Sequence, residues 1–221
     1  MIRSGQAKVS TDVELYRVNN SIRGPQDSLY KYLRASIAEA IRIRFLVAFI
    51  TESGARLVAK PLREAVDRGV PITILTGTYL CNTEPYALEY LIEKVGPTLE
   101  LRVYAETGRS FHPKAYFFDR PNDSEVFISS ANLSWTALTT GVEWSYRLRR
   151  SLAPNDYQQF DEEYQRLLAN YSLPVTKEFM REYWREWREK NSNGLFCKKK
   201  VAHEYLTHTS RPANIDRAGN L

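Results

Sequence analysis

The chain has 221 residues, of which 43% are hydrophobic and 26% are charged, a balance that suits a globular domain and excludes a disordered or fibrous protein. Lysine and arginine total 31 against 26 acidic residues, a formal net charge of +5, which permits nucleic acid as a partner without the charge density of a histone-like tail. No window approaches the roughly 18 apolar residues of a membrane span. The opening segment MIRSGQAKVSTDVEL lacks the apolar core of a signal peptide, so we expect a cytoplasmic protein.

Strands and helices alternate in the first half of the chain. The predicted elements are a strand at 13–18, a helix at 26–42, a strand at 43–50, a helix at 53–69, a strand at 70–76, a helix at 84–95 and a strand at 99–105. The strands are short, nearly continuous apolar runs, whereas the helices repeat apolar residues every three or four positions. This order is typical of a parallel sheet covered by helices.

The second half begins with short β-rich runs, HPKAYFF, EVFISS and GVEWSYRL, separated by turn-forming residues. Helical patterns then follow at 156–171 and 177–191. We therefore predict an α/β fold with a mixed, largely parallel central sheet flanked by helices, and a C-terminal helical appendage. The expected organisation is a catalytic domain over residues 1–153 and a helical extension with a basic tail over residues 154–221.

The extension carries much of the excess positive charge, with ten Lys and Arg against six Asp and Glu from Tyr171 to Leu221. In the helix at 177–191, aromatic residues recur at spacings of three and four, a pattern that fits either a helix packed on the domain or a docking helix for DNA or a protein. The run Lys198-Lys199-Lys200 would add phosphate contacts that give affinity without sequence information.

His112 and Lys114 are separated by one residue in a predicted strand. Because side chains alternate across a strand, both project from the same face and can converge on one ligand. Burial of an unpaired cation is costly, so this face must be wet, paired or catalytic. The spacing alone also fits an edge strand with two solvated cations.

Polar residues follow at the end of the next strand. Ser130 and Asn132 lie where side chains and free backbone amides can hold phosphate oxygens. The next strand-like run, which begins at Gly141, supplies Glu143, and an acid beside a histidine can fix its tautomer. Taken singly, Ser130 and Asn132 are also ordinary turn residues and Glu143 an ordinary surface acid.

The combined pattern resembles the phospholipase D superfamily, the "HKD" phosphodiesterases. It reads His112-x-Lys114, then four residues to Asp119, then Ser129-Ser130-Ala131-Asn132, then Glu143. Over residues 40–150 the chain resembles, more particularly, the nuclease-type domains of bacterial restriction enzymes and of some helicases. Ser129 stands where that family usually has glycine.

The resemblance implies hydrolysis of a phosphodiester without a metal ion or other cofactor, through a covalent phosphohistidine. His112 would attack phosphorus, while Lys114, Asn132 and Ser130 would neutralise the phosphate oxygens. Glu143 would orient the histidine, and Asp119 would be structural.

A second histidine must protonate the leaving oxygen, and the sequence has no second His-x-Lys. The resemblance therefore implies a homodimer whose two chains share one site. Nucleic acid, and DNA in particular, is the expected substrate, with Lys198, Lys199 and Lys200 as substrate contacts. Arg109 would be either a phosphate contact or a plain surface cation.

A helicase or ATPase of a defence or restriction system is a further expected partner, and a membrane is not. Two alternatives stay open. One is a non-catalytic dimer that binds nucleic acid or tethers a partner, and the other is a phospholipid-processing enzyme.

Overall fold

The structure, a computed structural model, describes residues 20–193. The predicted strand at 13–18 and the lysines at 198–200 lie outside these residues. Among the described helices, none is long and apolar enough to cross a membrane.

The elements predicted from residue 26 onward occur in the predicted order, and the short elements at 21–23, 135–139 and 172–174 are additional. The strands are β1 (Ser21–Arg23), β2 (Arg42–Val47), β3 (Ile72–Thr76), β4 (Leu99–Tyr104), β5 (Lys114–Asp119), β6 (Glu125–Ser129), β7 (Trp144–Arg149) and β8 (Ser172–Pro174). The helices are α1 (Leu29–Glu39), α2 (Glu52–Asp67), α3 (Pro85–Val95), α4 (Trp135–Thr139), α5 (Pro154–Tyr171) and α6 (Lys177–Asn193), with a 3₁₀ turn at Tyr79–Cys81.

All eight strands form one sheet in the order β1-β7-β6-β5-β2-β3-β4-β8. Strands β2, β3 and β4 are parallel, and the other neighbouring pairs are antiparallel. The mixed α/β sheet flanked by helices is thus confirmed. Its parallel part is confined to three strands, a smaller share than the sequence suggests, because β5, β6 and β7 are joined as a meander.

Helix boundaries follow local sequence signals. The Thr51 hydroxyl accepts a hydrogen bond from the Gly54 amide at 3.2 Å and so caps α2. Both α3 and α5 start with proline, whose missing N–H costs nothing in the first helical turn. After α3 the chain turns at Gly96, whose φ of 110° favours glycine.

Two hydrophobic cores cover the two faces of the sheet. Helices α1, α2, α3, α4 and α6 pack on one face, and α5 packs on the other. Alternate residues of β5 supply both cores, since Tyr116 and Phe118 belong to the first and Ala115 and Phe117 to the second.

The segment after residue 153 is continuous with this architecture. Strand β8 pairs with β4 at the edge of the sheet. Phe179, Met180 and Tyr183 of α6 are buried in the first core, so the aromatic stripe of this helix packs on the sheet domain. Helices α5 and α6 therefore share the sheet and the core of the segments before them. The functional boundary at residue 153 stays a prediction.

Candidate active site

The candidate catalytic residues meet at one end of the strands, where β2 and β6 finish and β5 and β7 begin. We call this end of the sheet the catalytic edge. The register pairs Val47 at the end of β2 with Lys114 at the start of β5, and it pairs Ser129 at the end of β6 with Ser145 of β7. This edge is where the parallel strands have their carboxyl ends, the usual position of ligand sites in open α/β sheets.

His112 and Lys114 are in direct contact. The Lys114 ammonium lies 2.7 Å from His112 Nδ1 and 3.1 Å from Nε2, and it donates to the His112 carbonyl at 2.8 Å. An ammonium can only donate, so a hydrogen bond between these two side chains would use a lone pair of the ring. The contact brings the candidate nucleophile and the candidate phosphate-binding cation to one point.

Burial distinguishes the two side chains. Lys114 is only 6% exposed, whereas His112 is exposed to solvent. Desolvation lowers the pKa of the Lys114 ammonium, and the nearby Glu143 carboxylate partly opposes this shift. Lys114 is therefore not a solvated cation of an edge strand, since it is buried and β5 lies between β6 and β2 in the sheet.

Glu143 is held by Ser130. The Ser130 hydroxyl donates to Glu143 Oε2 and accepts from the Trp144 amide at 3.0 Å. Within residues 20–193 the Glu143 carboxylate is thus bonded to this serine and not to the His112 ring, which differs from the expected role. The pairing of β6 with β7 brings Ser130 beside Glu143.

Glu143 still influences the centre of the site through its charge. It raises the pKa of the Lys114 ammonium, and it adds to the effect of burial that raises the pKa of Tyr116. The buried Tyr116 hydroxyl donates to the Ala131 carbonyl at 2.9 Å. This hydrogen bond ties the turn after β6 to the first core.

Asn132 lies in that turn and is largely buried. Its Oδ1 accepts a hydrogen bond from the Phe49 amide at 3.2 Å. Because the side-chain oxygen is used in this way, the amide group is left to donate. An anchored amide donor at this edge is suited to a phosphate oxygen.

Ser129 replaces a family glycine without loosening the turn. Its hydroxyl accepts from the Ala131 amide at 2.9 Å and lies 2.7 Å from the Ser145 hydroxyl. A side-chain hydrogen bond therefore fixes the turn that carries Asn132.

Helix α2 approaches the same turn closely. The Thr51 amide donates to the Leu133 carbonyl at 3.0 Å, and a Cβ atom on Gly54 would lie 2.0 Å from that carbonyl oxygen. Only glycine fits at this position of the helix.

Asp119 lies at the opposite end of β5 from Lys114, about 17 Å away at the usual rise of a strand. Its carboxylate accepts from Arg44 at 3.0 Å, from Tyr157 at 3.1 Å and from Arg42. Burial alone would raise the pKa of this carboxyl, but Arg44 and Arg42 outweigh it and hold the pKa below its ordinary value. These contacts assign Asp119 to the scaffold of the sheet.

Arg109 lies in the loop before β5 and is largely exposed. Its guanidinium is 3.5 Å from the Glu106 carboxylate, at the rim of a cavity that His112 and Lys114 also line. In the part of the chain that the structure describes, no group of three or more His, Cys, Asp or Glu residues could hold a metal ion.

Sequence reasoning found His112, Lys114, Ser130, Asn132 and Glu143, which the fold brings to one edge. It missed the Phe49 amide that anchors Asn132, because a backbone group leaves no signal in the side-chain pattern. It also missed Arg44 as the partner of Asp119, since the two residues are 75 positions apart in sequence.

A family model described as "cardiolipin synthase, PLD-like domain" matches residues 30–168. The chain belongs to the phospholipase D-like family. The match spans β5, β6 and β7 together with the three parallel strands, and it includes every candidate residue at the catalytic edge. No curated protein sequence matches the chain.

Three solved structures have a similar fold. NucT from Helicobacter pylori is 16% identical with a TM-score of 0.56, and the match covers 70% of this chain and 97% of that one. Nuc from Salmonella typhimurium, a phospholipase D family member, is 21% identical with a TM-score of 0.55, covering 71% and 97%. Phosphatidylserine synthase from Haemophilus influenzae is 12% identical with a TM-score of 0.52, covering 79% and 46%.

Proposed function

We propose that this phospholipase D-like chain is a nuclease that hydrolyses phosphodiesters through a phosphohistidine, without a metal ion, in a site shared by two copies. The observation that carries the proposal is the exposed His112 ring held against the buried Lys114 ammonium. Ser130, Glu143 and the anchored Asn132 amide lie at the same end of the strands, and the Glu143 charge acts on Lys114. Family membership supports phosphodiesterase chemistry in general.

In the first step, the lone pair of a His112 ring nitrogen forms a bond to phosphorus while the bond from phosphorus to the leaving ester oxygen breaks. The Lys114 ammonium moves from the ring to a non-bridging oxygen, which frees that lone pair. Lys114 and the Asn132 amide then oppose the negative charge of the transition state, which is the main contribution that a protein makes to phosphoryl transfer.

In the second step, water attacks phosphorus and the bond to the ring nitrogen breaks, which restores His112. The leaving oxygen of the first step needs a proton, and the water of the second step must lose one. One general acid and base can serve both steps. In the described residues His112 is the one histidine, so we assign this role to His112 of a second copy.

Exposed apolar side chains at the catalytic edge support the two-copy site. Val142 is 81% exposed and Trp144 is 74% exposed, and Trp135 and Tyr146 are exposed nearby. Large apolar groups gathered around a polar site are typical of a surface that another protein covers. A second copy seated here would bring its own His112 toward the same phosphate.

Nucleic acid is the proposed substrate, DNA in particular, because the chain has a net charge of +5 and its match to two nuclease-like folds covers nearly all of those chains. The same proposal includes the tail lysines at 198–200 as contacts to the nucleic acid. It also includes a helicase or ATPase as a protein partner. A dimer that only binds nucleic acid would have no need to bury a lysine against an exposed histidine, so the His112–Lys114 contact favours the enzyme.

The deciding experiment measures cleavage of single-stranded and double-stranded DNA and RNA in excess EDTA, with His112→Ala as the control. Cleavage should survive EDTA and disappear in the variant, and a base-stable, acid-labile phosphoenzyme should form on His112. Complete inhibition by EDTA that magnesium restores would falsify the mechanism. Cleavage of phospholipid vesicles without cleavage of nucleic acid would assign the chain to lipid chemistry.

A further inference from the structure

A cavity of about 480 Å³ lies between the sheet and helix α5 and begins at the catalytic edge. His112 and Lys114 line one end of it, and residues of β2, β5 and β6 form its floor. Its far wall is one side of α5, including Phe160 and Leu167. The cavity is therefore continuous with the site of the proposed reaction.

The interior of the cavity is apolar and aromatic. Tyr104 and Phe111 stack with their ring centroids 4.5 Å apart and their planes at 22°. Phe160 projects from α5 at the mouth and is 43% exposed. Phe160 thus offers an exposed aromatic face that adjoins the apolar lining.

The rim of the cavity is polar and carries both donors and acceptors. Arg109 lies beside Glu106 on one side, with the two charges 3.5 Å apart. On α5, Arg166 pairs with Glu163 at 2.7 Å. Arg166, and more weakly Arg109, lower the pKa of the Glu163 carboxyl, so the loop and the helix face each other across the mouth.

We propose that this cavity binds one unpaired nucleobase of the strand that is being cut, next to the scissile phosphate. The inference rests on the proposed nuclease function and deepens it. A nucleobase has apolar faces that stack on aromatic rings and polar edges that pair with charged or amide groups. The aromatic interior of the cavity suits the faces, and its charged rim suits the edges.

The consequence concerns the substrate. A base within a duplex presents neither its faces nor its pairing edge, so it must leave the stack before it can enter a pocket. The enzyme should therefore prefer single-stranded or locally opened nucleic acid. An acyl chain fits the apolar interior less well, because it would have to pass the four charged side chains of the rim.

The test uses a single-stranded oligonucleotide with one abasic nucleotide at a defined position, compared with the intact strand. Cleavage beside the abasic position should be about tenfold slower or more, as expected when stacking on an aromatic ring is lost. Phe160→Ala should remove most of this difference by raising KM for the intact strand. The matched control is Ile92→Ala on α3, which is 44% exposed and lies outside the cavity.

A second variant, Leu167→Trp, fills the cavity and should slow cleavage of the intact strand more than of the abasic one. If wild type cleaves both strands equally well, the base pocket is wrong while the nuclease function stands. If wild type cleaves neither strand, the nuclease function is wrong. A binding measurement then tests whether the cavity still accepts a nucleobase.

The binding measurement compares deoxyadenosine monophosphate with deoxyribose phosphate by calorimetry. Tighter binding of the nucleotide that Phe160→Ala abolishes supports the pocket, and equal binding of the two compounds overturns it. Tighter binding of a short-chain phosphatidic acid than of the nucleotide, weakened by the same variant, assigns the cavity to an acyl chain and also overturns it.

Discussion

At the scale of single residues, the unusual feature is a lysine that is almost fully buried and touches a histidine. Lys114 has its ammonium against the His112 ring and carbonyl, and desolvation lowers its pKa. A lysine of lowered pKa loses its charge at a lower pH than an exposed lysine. The phosphate that it should bind in the reaction would then lose its main counter-charge.

The pH dependence of cleavage should reflect this lysine. As pH rises through the lowered pKa of Lys114, the ammonium becomes neutral and kcat/KM should fall, at a pH below the ordinary lysine value of 10.5. Lys114→Arg should remove this alkaline decline in whatever activity it retains, because a guanidinium stays charged. An unchanged decline in the arginine variant would assign it to another group.

Glu143 provides an independent check on the same group. Since its carboxylate raises the pKa of Lys114, Glu143→Gln should move the alkaline decline to lower pH. The amide oxygen of glutamine can still accept from Ser130, so the turn should keep its structure and DNA affinity should change less than kcat. A shift to higher pH in the measured profile would contradict the electrostatic role of Glu143.

At the scale of elements, β5 connects the reaction site to a buried ionic cluster. Lys114 is its first residue and Asp119 its last. The Arg44 side chain is only 4% exposed, bonds to both Asp119 and Asp161, and lies 4.9 Å above the Phe117 ring. This cluster fixes the pairing of β5 with β2, on which the position of Lys114 depends.

Removal of the Asp119 carboxylate should destabilise the protein strongly. Asp119→Ala leaves Arg44 with one acidic partner fewer in a buried site, and such losses cost about 3–5 kcal/mol of unfolding free energy. Denaturant unfolding at pH 7 measures this. The control is Asp67→Ala, whose ion pair with Arg63 is solvent-exposed and should contribute less than about 1 kcal/mol.

The same residue predicts how the free energy of unfolding changes at acid pH. The pKa of Asp119 is lowered in the fold, so its stabilisation is complete above the unfolded pKa of about 4 and is lost as pH falls through the folded value. Asp119→Ala should therefore flatten the loss of stability below pH ~4.

The elements were largely predictable because their signals are local. The apolar runs of β2 and β3, the proline that starts α3 and the alternation of β5 each appear within a few residues. Contacts across the sheet were not predictable in this way. The three-residue strand β8 has no hydrophobic pattern of its own and exists only because β4 offers it an edge.

At the scale of the whole molecule, the exposed apolar side chains around the catalytic edge should be covered by a second copy. Trp144→Arg would place a charge in that interface, so it should shift the dimer toward monomer and make activity per chain fall on dilution. Sedimentation at micromolar concentration measures the first effect. Leu152→Arg is the control, because Leu152 is 67% exposed but follows β7 at the opposite edge of the sheet.

A mixing experiment separates a shared site from two independent ones. His112→Ala chains added in excess to wild type should reduce activity by more than simple dilution, since each mixed dimer has only one of the two histidines. Activity that stays proportional to the wild-type chains would mean that each chain works alone.

The glycine at position 54 has a consequence for protein engineering. Glycine inside a helix costs roughly 0.5–1 kcal/mol relative to alanine, so Gly54→Ala would rank high among substitutions chosen to raise thermal stability. The added methyl group would instead collide with the Leu133 carbonyl 2.0 Å away and displace the turn that carries Asn132. A library of variants selected for heat resistance should therefore be depleted of alanine at position 54. Selection for activity should deplete it further, because the displaced turn carries Asn132.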